Sequence, residues 1–229
     1  MNFEEFVLAA STASLDDSEV ASRHADALEL RLDLGDLTVD TLDADLPILV
    51  TNRLDSEGGN APRGDTRIET LCRAIEQPAV EAVDIELAAV TDGDGQRVVE
   101  HARAHGVAVV VSTHDFEGTP ATAHLLDVLE QASEIGDVAK LAVTASDRGD
   151  ALDVLAATHE ATRAGQTVAT MAMGEAGRHT RVVAPLYGSR LGYAPLDSDR
   201  ATAPGQYDLE TFRRLYEFIR DDNRAGPGR

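Results

Sequence analysis

The stretch DVAKLAVTA, residues 137–145, is an apolar run with a single cation at its centre, Lys140. A half-exposed strand would alternate polar and apolar positions, whereas a near-continuous run reads as a parallel strand buried on both faces. Runs of the same kind precede it: FVLAA (6–10), ALELRL (27–32), PILVT (47–51), AVDIEL (82–87) and VAVVVS (107–112). Two follow it, TVATMAM (167–173) and VVAPLYG (182–188). Between the runs the period changes to that of a helix. Ile68, Leu71, Cys72 and Ile75 fall on one helical face, as do Leu125, Leu126 and Leu129, and Leu209, Phe212, Tyr216 and Ile219. Gly106 and Gly165 stand where helices should stop. Only the connection 34–46 is too short for more than a brief helix.

Strands alternating with helices imply a parallel sheet, and eight such units in 229 residues predict a single closed (β/α)8 barrel. The competitor is an open doubly wound sheet. No glycine-rich fingerprint follows the first strand, where STASLDD stands, so a dinucleotide-binding fold is set aside. One barrel domain is expected over residues 1–221, with a frayed tail over 222–229.

Charge narrows the partners. The chain carries 41 acidic residues against 20 basic ones, a net charge of −21, and Lys140 is its only lysine. Nucleic acid and anionic membrane surfaces are poor partners for such a protein. Recurrent apolar segments argue against disorder, so the acidity reads as the surface of a salt-adapted protein. No apolar run approaches 18 residues, the acidic start MNFEEFVLAAS is unlike a signal peptide, and the lone Cys72 fits a reducing cytoplasm.

In barrels of this kind the chemistry sits at the carboxyl ends of the strands. Taken in order, those ends offer Glu29, Arg31 and Asp33, then Arg53 and Glu57, then Asp84 and Glu86, then His114, then Lys140, then Met171 and Met173, with Arg181 beyond. Glu29, Arg31 and Asp33 share one face of their strand, because side chains repeat every second residue. Inward charges are expensive unless paired or bound to a polar ligand, so a site is expected, with Asp33 and Glu86 assigned to ion pairing.

Lys140 carries the sharpest signal. Arginine would serve in a structural salt bridge and is what this chain uses elsewhere. An amine in a low-dielectric barrel loses basicity and becomes a nucleophile, which suits imine formation with a ketone or aldehyde. His114 is the natural proton carrier beside it, and Glu57 is placed to orient that ring. Arg181 suits a carboxylate, and the loop ATAPGQYD (201–208) is a plausible lid carrying Thr202 and Gln206, with Asp208 capping the last helix. The remaining histidines, His101 and His105 among them, are assigned to the surface. No histidine pair at a strand end has ligand spacing, so no metal site is expected.

Together these residues resemble type I 3-dehydroquinate dehydratase. The motifs ELRLD, TNRLDSEGG, VVVSTHDFEGTP, AKLAV, TMAMGEAGRHTR, APLYGSRLGY and APGQ occur in that order along nearly the whole chain. The resemblance implies a (β/α)8 lyase of the shikimate pathway that removes water from 3-dehydroquinate by syn elimination through a Schiff base, without cofactor or metal. It implies Lys140 as the Schiff-base lysine, His114 as the base and acid, and Glu57 as its neighbour. Glu29, Arg31 and Arg53 then hold substrate hydroxyls, Arg181 pairs with the carboxylate, and Thr202 and Gln206 belong to the lid. Met171, Met173 and Tyr193 match apolar walls of the pocket. A homodimer is the family's usual form.

Departures from the pattern are modest. Thr202 replaces the usual lid serine, Thr113 stands where asparagine is common, and Tyr193 replaces phenylalanine. The N-terminus is too short for the hairpin that plugs the barrel floor in many members. Two other readings remain at this point: a class I aldolase acting on a phosphorylated ketone, supported only by Gly188 and Gly192 as a phosphate cradle, and a non-catalytic barrel binding a polyol acid.

Overall fold

The computed structural model describes residues 1–35 and 37–221, so the tail expected over 222–229 lies outside the described residues. Eight parallel strands form one sheet: β1 (Val7–Thr12), β2 (Ala27–Arg31), β3 (Ile48–Thr51), β4 (Val80–Glu86), β5 (Ala108–Asp115), β6 (Val138–Thr144), β7 (Val168–Met173) and β8 (Leu191–Pro195). Hydrogen-bonded neighbours run from β7 down to β1 and then to β8. The last seam, between β7 and β8, is closed by an isolated bridge of Val168 to Ser189, with Arg190 N donating to Val168 O at 2.7 Å. The fold is a (β/α)8 barrel.

Helices cover the outside: α1 (Ser18–Ala21), α2 (Asp65–Ile75), α3 (Leu87–Thr91), α4 (Gln96–His105), α5 (Thr122–Ile135), α6 (Arg148–Arg163), α7 (Gly174–Gly177), α8 (Thr180–Val183) and α9 (Leu209–Asp221). Among the described residues between β2 and β3 only 3-10 turns occur, in keeping with the short 34–46 connection. Start and stop signals act locally. Asp147 caps α6 through a capping box with Asp150, Asp208 Oδ1 accepts from Thr211 N at 2.9 Å to cap α9, and Gly106 ends α4 at φ 69°.

The main core lies between sheet and helices. Leu71, Val98, Leu125, Leu129 and Val154 bury one helical face each against strand residues such as Val83, Val109 and Val111. Full burial of such a side chain is worth about 1.5–3 kcal/mol, and its loss to alanine costs about 2–5 kcal/mol. Inside the barrel, small residues (Ala9, Ala27, Ala82, Ala169) share the interior with Val110, Val138, Leu191 and Tyr193. They leave room above them for polar side chains. Met1 and Phe3 pack against this inner cluster from the strands' amino ends.

One strand expectation fails. VVAPLYG (182–188) is helical: Val182 and Val183 end α8 and Ala184–Tyr187 form a 3-10 turn capped by Gly188, while the eighth strand is LGYAP, 191–195. A short apolar run has no period that separates buried strand from buried helix, and Pro185 inside it argued against a central strand. Gly188 caps that turn at φ 111°, against Thr162, and a Cβ on Gly192 would meet Phe6 and Phe212. Neither glycine lines the pocket at the strand ends, so the phosphate cradle has no basis in the fold.

Candidate active site

At the carboxyl ends of the strands one pocket gathers every residue expected there: Lys140, His114, Glu57, Glu29, Arg31, Arg53, Arg181, Thr202, Gln206, Met171, Met173 and Tyr193. Register explains the convergence. Ser112 pairs with Lys140 and His114 with Ala142, so the amine and the imidazole rise from adjacent strands at successive levels of the barrel. Ser11, Gly58, Phe116, Ala142 and Ala203 complete the wall. None of these carries a charge, so a pattern of inward charged groups does not reveal them.

Lys140 is 4 % exposed. Its Nζ donates to Asp84 Oδ2 at 2.9 Å and lies 4.2 Å from the centre of the Tyr193 ring. The structural salt bridge weighed from the sequence is therefore present. It does not restore ordinary basicity: burial pushes the ammonium pKa down, with Arg53 adding to the fall, and Asp84 offsets only part of it. Asp84 was read only as one of the charged strand ends. Burial pushes its carboxyl up, but Arg53 and Lys140 outweigh that and hold it well below the usual range, and Ser112 Oγ donates to it at 2.6 Å.

His114 and Glu57 form a pair. His114 Nδ1 lies 2.9 Å from Glu57 Oε2, which also accepts from the His114 backbone N–H at 3.0 Å. Burial, reinforced by the cations Arg53 and Lys140, holds His114 well below its usual pKa. Burial pushes Glu57 up to about 7 despite Arg53. The imidazole is thus neutral at working pH. With Glu57 ionised, Nδ1–H donates to the carboxylate and Nε2 keeps a free lone pair.

The arginines divide by partner. Arg31 makes a two-pronged pair with Asp33 at 2.8 and 2.7 Å. Arg53 is bound to Asp84 at 2.8 Å, Glu86 at 3.0 Å and the Ser112 hydroxyl at 2.7 Å, and Arg67 meets Glu86 from behind. Arg53 thereby serves as a counter-ion as well as a pocket wall. Glu29 accepts from the hydroxyls of Ser11 and Thr51. Arg181 differs: it is 4 % exposed, donates to Pro204 O at 3.1 Å and to Met171 Sδ at 3.5 Å, and has no acidic partner among the described residues. Burial pushes it down to about 10. A buried cation without an anion is an anion site in waiting.

The lid loop folds on itself. Gln206 Oε1 accepts from Thr202 N at 2.8 Å and Ala203 N at 3.1 Å, which leaves the Gln206 amide NH2 for a ligand. Away from this pocket, the helix-face histidines His101 and His105 meet Glu76, with their nitrogen and oxygen atoms within 4.8 Å of one another. Spacing at strand ends does not reveal that grouping, because the two histidines lie four residues apart on a helix and Glu76 comes from a different element. Among the described residues no helix is long and apolar enough to cross a membrane.

Comparison with known proteins agrees with this geometry. Residues 7–223 match the family model for type I 3-dehydroquinase. The chain is similar to the 3-dehydroquinate dehydratase of Haloarcula marismortui, at 51 % identity over 97 % of this chain and all of that one. It is equally similar to that of Halobacterium salinarum, at 51 % identity over 90 % of this chain and 94 % of that one. Among solved structures, the 3-dehydroquinate dehydratase of Geobacillus kaustophilus superposes with a TM-score of 0.81 at 30 % identity, covering 95 % of this chain and 92 % of that one. The chain belongs to the type I 3-dehydroquinase family.

Proposed function

We propose that the chain removes water from 3-dehydroquinate to give 3-dehydroshikimate, with residues 1–221 as the catalytic unit. The observation that carries the reading is one pocket that brings together a buried lysine amine, an imidazole bonded to Glu57 and an arginine with no acidic partner among the described residues.

Lys140 Nζ, as free base, attacks the C3 carbonyl, and loss of water leaves an imine. The protonated imine withdraws electrons and acidifies C2–H. His114 Nε2 takes that proton, oriented by Glu57 through Nδ1. The electron pair forms the C1–C2 double bond as the C1 hydroxyl departs, and His114 returns its proton to make that hydroxyl water. Hydrolysis of the imine frees product and lysine. Arg181 anchors the carboxylate, Glu29, Arg31 and Arg53 face the ring hydroxyls, Thr202 and Gln206 close the top, and Met171, Met173 and the Tyr193 ring form apolar walls.

The acidic surface supports a salt-adapted protein, and the free thiol of Cys72 fits a reducing cytoplasm. Homodimerisation is taken from the family's usual form. Absorbance on adding 3-dehydroquinate tests the activity, because the conjugated product absorbs in the ultraviolet and the substrate does not. A flat trace would overturn it. The aldolase reading has lost its phosphate cradle.

A further inference from the structure

We propose that Glu76, His101 and His105 form a transition-metal site that fastens α2 to α4 on the outside of the barrel. His101 and His105 lie one turn apart on α4, with ring centres 4.3 Å apart, and Glu76 is the residue that ends α2. Glu76 Oε1 stands 3.2 Å from His101 Nε2, an atom shielded from solvent that makes no well-aligned hydrogen bond. His105 Nδ1 is held by the His101 backbone carbonyl at 2.8 Å, which puts the proton on Nδ1 and leaves Nε2 with its lone pair. Metal-binding histidines are oriented by this kind of bond. Two imidazoles and one carboxylate select Zn²⁺ and its borderline neighbours over Ca²⁺ or Mg²⁺, which prefer oxygen. Three ligands leave a fourth tetrahedral position for water. Both helices end here at the amino ends of the strands, opposite the pocket, so the site stands apart from the chemistry.

Calorimetric titration of the chelator-stripped chain with Zn²⁺ tests this. One saturable equivalent is expected, weakened at least about tenfold in both His105→Gln and Glu76→Gln, the least that loss of a ligand should cost. Zn²⁺ should raise the melting temperature of the native chain and not of the variants, with turnover unchanged. Absence of saturable binding, or equal binding in all three proteins, would overturn the site.

A separate observation concerns Tyr193. Its hydroxyl is buried and has no hydrogen-bond partner, although the residue lines the pocket beside Lys140. A buried hydroxyl without a partner is costly, so one left unsatisfied in a native fold calls for a role that gives it a partner. Resting on the dehydratase reading, we infer that this hydroxyl donates a hydrogen bond to an oxygen of the polyhydroxylated substrate. Burial and the carboxylates of Asp84 and Glu29 keep the phenol protonated, so it acts as a donor and not as a proton carrier. Tyr193→Phe deletes the hydroxyl alone and keeps the ring over Lys140. KM should rise about three- to tenfold, the worth of one neutral hydrogen bond, with kcat little changed and no loss of thermal stability. An unchanged KM, or a lower melting temperature as the only effect, would overturn the role. An inactive native chain would instead overturn the dehydratase reading.

Discussion

Asp84 Oδ2 lies 2.9 Å from Lys140 Nζ while Oδ1 lies 2.8 Å from Arg53, so one buried carboxylate pairs with both cations. Without Asp84 the amine would lose even more basicity and Arg53 would lose a partner. Asp84→Asn should therefore let Lys140 act at lower pH, read as a downshift in the pH dependence of imine trapping. It should also destabilise the fold by about 3–5 kcal/mol, because breaking a buried pair strands a charge. An unshifted trapping profile would detach Asp84 from the amine.

In the proposed mechanism Glu57 should set the acid limb of the pH profile. Its pKa near 7 means that the carboxylate form, which fixes the base-competent tautomer of His114, accumulates as pH rises through about 7. Activity should rise over the same range, and Glu57→Gln should flatten that limb with a smaller rate loss than His114→Ala. Stability has the opposite sign. The raised pKa favours the folded state below the unfolded value and loses that contribution as pH rises through about 7. The melting temperature of Glu57→Gln relative to the native chain should then climb between about pH 4.5 and 7.

In the proposed mechanism Arg181 anchors the carboxylate. Arg181→Ala should weaken substrate binding by about 2–5 kcal/mol, measured by calorimetry on a Lys140→Met background. Unchanged affinity would place the carboxylate elsewhere.

The surplus of negative charge should make stability depend on salt. Screening shortens repulsion to about 3 Å at 1 M, so the melting temperature should be higher in molar KCl than in dilute buffer. An equal or lower value would contradict salt adaptation and leave the chemistry untouched.

What could be read from the sequence follows from what each signal encodes. Lys140 sits inside a near-continuous apolar run and His114 just after one, so period and position placed both on strands of the barrel. The eighth strand was misplaced because VVAPLYG and LGYAP are both short and apolar, and Pro185 in the middle of the first is the one local mark against a strand there. Strand alternation put Asp84 among the inward charges but did not reveal its hold on Lys140, because a pairing partner is a property of the closed barrel. The Tyr193 hydroxyl was hidden in a residue read as a wall. His101 and His105 were overlooked because their i, i+4 spacing belongs to a helix face.

In the proposed mechanism Lys140 forms the covalent intermediate. Borohydride added with 3-dehydroquinate should trap one adduct, mapped by peptide analysis to Lys140, which has no other lysine to compete with it. Lys140→Met should lose both adduct and turnover, whereas His114→Ala should still be trapped while turnover falls by at least ~10²-fold, the lower end for general acid–base catalysis. Adduct on the N-terminal amine alone, or normal turnover in Lys140→Met, would contradict the account.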